Sequence, residues 1–110
     1  MFFNRNAAKF KRLNASEFNA LKANGASPYL LDVRQPFELT AFGAIPGVVN
    51  IPLGDLRSRM NELPGDKEQM IVVICQSGNR SQNAAKMLTD AGYSNVHNLD
   101  GGTMGWLRTR

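Results

Sequence analysis

The sequence predicts an α/β domain with a mainly parallel sheet. Short apolar runs alternate along the chain with stretches of helical periodicity, which is the order expected when crossover helices join parallel strands. Turn-forming residues separate these stretches, as at Asn24-Gly25 and Pro64-Gly65. With 110 residues, the chain is long enough to form one such domain around its own core.

The patterns predict four strands and five helical stretches. Asn14 or Ser16 is a candidate N-cap for the first helix, because either side chain can accept a hydrogen bond from helix amides. The strands are predicted over residues 29–33, 48–51, 70–74 and 95–99. The later helices are predicted over 37–42, 53–63, 81–91 and a short C-terminal segment. Four methionines on apolar faces are predicted to lie in the core: Met60, Met70, Met87 and Met104.

The composition is that of an ordinary soluble domain, with 43% hydrophobic and 20% charged residues. Four basic residues precede the first acidic one and account for the net charge of +4: Arg5, Lys9, Lys11 and Arg12. We therefore expect a basic arm over residues 1–9 and a domain over 10–110. Basic residues are not spread over a face with interleaved aromatics, so neither nucleic acid nor a membrane is the expected partner. A lone cysteine and no apolar leader indicate a cytoplasmic protein.

Three stretches of the chain are predicted to converge on one rim of the sheet. Ligands of parallel sheets sit beyond the carboxyl ends of the strands. Asp32-Val33-Arg34 lies at the end of the first predicted strand, Cys75 ends the third, and Leu99-Asp100-Gly101-Gly102 ends the fourth. This rim is therefore the expected position of a functional site.

Cys75 begins the loop Cys75-Gln76-Ser77-Gly78-Asn79-Arg80-Ser81, which leads from the strongest strand into a helix. Free cysteine is often an inert buried residue. Alternatively, Gly78 permits a tight turn with the amides pointing inward, and such a ring lowers a thiol pKa from ~8.5 to roughly 3.5–7.5. Arg80 adds a positive charge and Ser81 can cap the helix. The loop composition therefore favours a nucleophile.

The candidate site residues follow from this interpretation. The nucleophile is Cys75, and the loop that would hold an anionic substrate group consists of Gln76, Ser77, Gly78, Asn79, Arg80 and Ser81. At the rim, Asp32 and Arg34 are expected to form a bracing ion pair. Gly101 and Gly102 are expected to let the backbone approach the loop closely.

His97 and the cysteine give little support for a dyad or a metal site. His97 is the only histidine, and we expect it to be a surface or edge-strand residue. One Cys and one His cannot supply the usual four ligands of a zinc ion, so no metal or other cofactor is predicted. Trp106 is expected to close the core beneath the C-terminal helix, with its indole N–H bonded at the edge.

These motifs, taken in chain order, resemble the rhodanese-like family of sulfurtransferases over roughly residues 10–108. Leu30-Leu31-Asp32-Val33-Arg34 looks like the first signature, and the segment from Gly43 to Pro52 looks like the second. The Cys75–Ser81 loop looks like the active-site loop of that family. Asn98-Leu99-Asp100-Gly101-Gly102, with the chain through Trp106, looks like the closing signature. The resemblance implies a rhodanese-like fold, a five-stranded, mainly parallel sheet with helices on both faces.

The resemblance also implies a chemistry. Cys75 would take the outer sulfur of a donor such as thiosulfate and carry it as a persulfide. A thiophilic acceptor would then remove it: cyanide, a thiol, or a protein such as a thioredoxin-like or sulfur-carrier protein. Two departures are visible, because Ala44 stands where the family usually has His, and Gln76 is neutral where thiosulfate-specialised members often carry positive charge.

Two alternatives stay open beside sulfur transfer. Cysteine phosphatases and arsenate reductases resemble this loop but place five residues between Cys and Arg, whereas four separate Cys75 from Arg80 here. The shorter ring fits a sulfur atom better than a tetrahedral phosphoryl group. The second alternative is a non-catalytic or sulfur-relay interaction module, although members that only bind partners tend to lack the cysteine.

Overall fold

The fold is built on a sheet of five parallel strands. The structure is a computed structural model, which describes residues 9–110. The strands are β1 (Lys11–Leu13), β2 (Tyr29–Asp32), β3 (Val49–Asn50), β4 (Ile71–Ile74) and β5 (Val96–Leu99). They lie in the order β1-β5-β4-β2-β3, and every neighbouring pair is parallel. The predicted fold class is confirmed.

The helices cover both faces of this sheet. They are α1 (Ala15–Ala23), α2 (Pro36–Phe42), α3 (Leu53–Leu56), α4 (Arg80–Asp90) and α5 (Gly102–Leu107). Alternate residues of β4 point to opposite faces. Val73 therefore joins a core with Leu56 and Leu88 from α3 and α4, whereas Val72 joins a second core with Phe18 and Trp106 from α1 and α5. None of these helices is long and apolar enough to cross a membrane.

β1 is the strand that the sequence patterns did not predict. Lys11 and Arg12 are charged and exposed, and only Leu13 of this strand is apolar and buried. The strand forms because it pairs with β5, where Leu13 lies opposite Leu99. Arg12 also donates to Asp100 at 3.0 Å. Of the basic arm predicted over residues 1–9, residues 1–8 lie outside the described residues.

Four other predictions need correction or refinement. The helix predicted over 53–63 is α3 followed by a 3-10 segment (Arg57–Glu62), with Arg59 outside helical geometry and Pro64 excluding further helix. Met104 is 42% exposed and not in the core, whereas the other three methionines pack partly buried against it. His97 lies on an interior strand, half-buried, so the edge-strand prediction is wrong. Asn14 is the N-cap of α1, bonded to the Glu17 N–H at 2.8 Å.

Candidate active site

Cys75 lies directly after β4, at the carboxyl edge of the sheet. All four residues of β4 are buried and paired with β2, and the first three are also paired with β5, so the centre of the sheet fixes the position of the thiol. Its carbonyl accepts the Thr103 N–H at 2.9 Å. Its Sγ accepts the Gly78 N–H at 3.1 Å. The loop therefore folds back over the sulfur, and Cys75 is only 1% exposed.

Two glycines allow this tight arrangement. Gly78 has φ +101°, and a Cβ there would lie 2.9 Å from the Gly101 nitrogen. Gly102 has φ +60°, and its Cβ would lie 2.6 Å from the carbonyl carbon of Gln76. Real Cβ atoms do not approach backbone this closely, and both φ values disfavour side chains. Gly101 differs, because a Cβ there would meet only ordinary contacts although its φ of +85° also favours glycine.

The loop lowers the pKa of the Cys75 thiol below its ordinary value. Burial by itself raises that pKa, but hydrogen bonds from the Ser81 hydroxyl and from the Ser81, Gly78 and Ser77 amides outweigh it. The Ser81 hydroxyl has a single proton, and its hydrogen bond in this structure goes to Asn98 Oδ1. We therefore attribute the lowered pKa mainly to the backbone amides of Ser81, Gly78 and Ser77.

Asn98 connects the loop to the end of β5 and was not singled out from the sequence. It is fully buried, and its amide donates to the Gly78 carbonyl at 3.3 Å and to Asp100 Oδ1 at 2.8 Å. Its Oδ1 accepts the Ser81 hydroxyl. This chain of polar groups fixes both the middle of the loop and the first turn of α4. Its loop partners Gly78 and Ser81 are 20 and 17 residues away, so only the family's closing signature gave a hint of it.

Asp32 and Arg34 form a buried ion pair beside the loop. Both side chains are 0% exposed, and the Arg34 Nη2 lies 2.8 Å from Asp32 Oδ2. The same guanidinium donates to Gln76 Oε1 at 2.7 Å and to the Gly43 carbonyl at 3.0 Å. Arg34 thus connects the end of β2, Gln76 of the loop and the turn before Ala44. The pair braces the rim where the sequence placed it.

Arg80 is paired with a carboxylate that sequence analysis missed, Glu38 on α2. The two guanidinium nitrogens donate to the two carboxylate oxygens at 2.8 and 2.7 Å. Arg80 holds the pKa of Glu38 down to about 2, chiefly through these hydrogen bonds. Glu38 also accepts the Gln35 N–H at 3.0 Å at the start of α2. A Glu three residues after a helix-capping position was the one available signal.

The arrangement places the Cys75 thiol, with a lowered pKa, against the backbone amides of its own loop. His97 contributes nothing to it, since its Nε2 lies 2.8 Å from Asn95 Oδ1 near the start of β5 and burial lowers its pKa. Within residues 9–110, no cluster of three or more His, Cys, Asp or Glu side chains is placed to hold a metal ion. Among the candidate residues, the structure brings Cys75, its loop, Asp32, Arg34 and Gly102 into contact with one another.

This combination defines a class: a parallel α/β domain whose central strand delivers a cysteine into an amide-lined loop at a helix N-terminus. A family profile for the Rhodanese-like domain matches residues 14–109. The chain belongs to the rhodanese-like domain family.

Individual relatives agree with this assignment. The putative sulfurtransferase YtwF of Bacillus subtilis is 46% identical over 78 residues, covering 71% of this chain and 72% of that protein. The thiosulfate sulfurtransferase GlpE of Pseudomonas entomophila is 33% identical, covering 93% of this chain and 89% of its own. The human single-domain sulfurtransferase TSTD1 superposes with a TM-score of 0.80 at 29% identity, over 93% of this chain and 99% of that structure.

Proposed function

We propose that this protein is a rhodanese-type sulfurtransferase in which Cys75 carries the sulfur as a persulfide. The observation that carries the proposal is the Gly78 N–H bonded to Cys75 Sγ at 3.1 Å, at the centre of a loop that lowers the thiol pKa. Relatives named as sulfurtransferases support the reaction class. The cytoplasm, a reducing compartment that keeps a lone thiol free, is part of the proposal.

The reaction proceeds in two displacements. The Cys75 thiolate attacks the outer sulfur of a donor such as thiosulfate, forming a new S–S bond while the S–S bond of thiosulfate breaks and sulfite leaves with the electron pair. The persulfide keeps the single negative charge of the thiolate. A thiol or cyanide then attacks the outer sulfur, and Cys75 leaves again as the thiolate. Such a covalent intermediate predicts ping-pong kinetics.

The residues of this chain assist both steps by holding negative charge. The amides that surround Cys75 Sγ are fixed before reaction, so they stabilise thiolate and persulfide without reorganisation. Arg34 positions Gln76 through the 2.7 Å hydrogen bond to its side-chain oxygen. The acceptor is a small thiophile or a protein thiol, of the thioredoxin-like or sulfur-carrier kind.

Intact-mass measurement tests this function. The protein is incubated with thiosulfate, mercaptopyruvate or a low-molecular persulfide, and we expect an increase equal to one sulfur atom. Cyanide or a thiol should reverse it, and Cys75→Ala should never show it. The absence of an adduct from all three donors would contradict the proposal.

A further inference from the structure

The charges around the Cys75 loop cancel in pairs. Arg80 is the only charged residue between Cys75 and Ser81, and both of its bonding nitrogens are occupied by Glu38. The second arginine of the site, Arg34, is fully buried and satisfied by Asp32. The site therefore contains two guanidinium groups, but each is already paired with a carboxylate and neither charge is left uncompensated for an anionic substrate.

Glu38 is the one charged residue of α2. Glu38 lies on α2 between Phe37 and Phe42, which are 66% and 52% exposed. Met104 is 42% exposed on α5, and its backbone N–H bonds the Gln76 carbonyl at 3.1 Å. The helices that flank the loop thus present apolar side chains to solvent, and the loop's first variable residue, Gln76, is neutral.

We propose that Glu38 is a specificity-determining residue. By pairing with Arg80 it keeps the mouth of the loop, meaning the partly exposed side of the loop where Glu38 and Arg80 lie, electrically neutral. This pairing disfavours multiply charged donors such as thiosulfate relative to uncharged reactants. This inference rests on the proposed function of Cys75. Arg80 begins α4 only two residues after Gly78, whose N–H bonds the Cys75 sulfur, so its guanidinium belongs to the same short loop. Removing the carboxylate charge therefore leaves an uncompensated cation beside the reacting sulfur.

Alkylation of Cys75 measures this charge without any sulfur transfer. Iodoacetate is an anion and iodoacetamide is neutral, so the ratio of their rates with Cys75 reports the local potential. We expect Glu38→Gln to raise the iodoacetate-to-iodoacetamide ratio about 3- to 10-fold, the size expected for one unit charge at the edge of a protein. Arg80→Gln should lower the ratio, and the double variant should return it close to that of the parent protein.

Glu62→Gln provides the matched control. Glu62 forms a similar two-point pair with Arg59, at 2.8 and 2.9 Å, but that pair lies within the 3-10 segment and not at the loop. The substitution makes the same change in net charge, so we expect the ratio to stay unchanged. Equal ratios for Glu38→Gln and Glu62→Gln would overturn the role of Glu38.

Steady-state kinetics with thiosulfate and saturating cyanide extend the test to donor choice. Glu38→Gln should lower the KM for thiosulfate about 3- to 10-fold with little change in kcat, an improvement that mere loss of structure cannot produce. Sulfur transfer with an unchanged KM and alkylation ratio would overturn this inference alone. Failure of every donor with the parent protein, despite a shifted alkylation ratio, would overturn the proposed function and the donor claim with it.

Discussion

Two arginine–carboxylate pairs lie beside the Cys75 loop, and they differ in exposure. We call the buried side of the loop, with Asp32 and Arg34, its floor, and the partly exposed side, with Glu38 and Arg80, its mouth. At the floor, Asp32 and Arg34 are both 0% exposed. At the mouth, Glu38 is 10% and Arg80 41% exposed at the side chain. The floor pair has lost all contact with water and is held by several hydrogen bonds, whereas the mouth pair keeps one partner half in solvent.

Because of this difference, we expect the floor pair to determine the stability of the domain and the mouth pair to influence the reactivity of Cys75. Breaking a buried pair leaves a charge without water or a partner, which is costly. A solvent-exposed pair contributes little to stability, because water replaces the lost partner. We therefore expect substitutions at the floor to cause a large loss of stability, and substitutions at the mouth to change reactivity with a modest loss of stability.

The largest expected effect is that of Asp32→Asn at the floor. The change removes one charge with hardly any change in shape and leaves Arg34 buried and unpaired, so the free energy of unfolding should fall by about 3–5 kcal/mol. Urea unfolding followed by circular dichroism measures it. Glu62→Gln, which breaks an exposed pair, should change the free energy of unfolding only slightly. A loss as small for Asp32→Asn would remove the distinction between floor and mouth.

Gly102→Ala tests whether the floor also excludes a single added carbon. The new Cβ would lie 2.6 Å from the Gln76 carbonyl carbon, and its φ of +60° strains any residue with a side chain. We expect a loss of about 2–4 kcal/mol and slower alkylation of Cys75 by iodoacetamide. At Gly54, on α3, a Cβ meets open space. Gly54→Ala should therefore be neutral or stabilising, by up to about 1 kcal/mol. Equal effects would rule out close approach as the reason for glycine.

The ion pair between Glu38 and Arg80 should make the free energy of unfolding depend on pH. The pKa of Glu38 falls from 4.5 to about 2 on folding. A carboxyl group with a depressed folded-state pKa stabilises the fold above its unfolded pKa and loses that contribution as pH falls through the folded value. Since Arg80 is 41% exposed, the contribution is about 1–2 kcal/mol rather than the full conversion of the shift.

Glu38→Gln provides the comparison for this prediction. The stability difference between the parent protein and the variant should be largest near pH 6 and shrink between pH 4.5 and 2. Urea unfolding at several pH values measures it. A difference that stays constant over this range would show that Glu38 does not titrate with a lowered pKa.

The smallest effect concerns a buried hydroxyl beside the floor. Thr103 is fully buried and its Oγ1 has no hydrogen-bond partner within the described part of the chain. Thr103→Val replaces that hydroxyl by a methyl group, and we expect a gain of up to about 1 kcal/mol in unfolding free energy. Thr89 is the control, because its hydroxyl donates to the Lys86 carbonyl at 2.9 Å. Thr89→Val should be neutral or destabilising, and the same sign for both would refute the explanation.

Much of the fold and of the site could be predicted from sequence because the signals are local. Four strands are visible in the sequence as short apolar runs, and the Cys75 loop is visible as a segment that contains Gly78 and leads into a helix. β1 escaped prediction because two of its three residues are charged and only pairing with β5 makes it a strand. Glu38 escaped because its partner Arg80 lies 42 residues away. Long-range pairs of this kind leave no periodicity in the sequence.

The position of Cys75 after β4 has a consequence for hydrogen exchange. β4 has hydrogen-bonded neighbours on both sides, whereas β1 and β3 are short edge strands. Amides of the edges should exchange with deuterium through local openings, and those of β4 only when the whole domain opens. Cys75 is thus attached to an interior strand that should exchange slowly, so local openings at the edge strands should leave the sulfur in place.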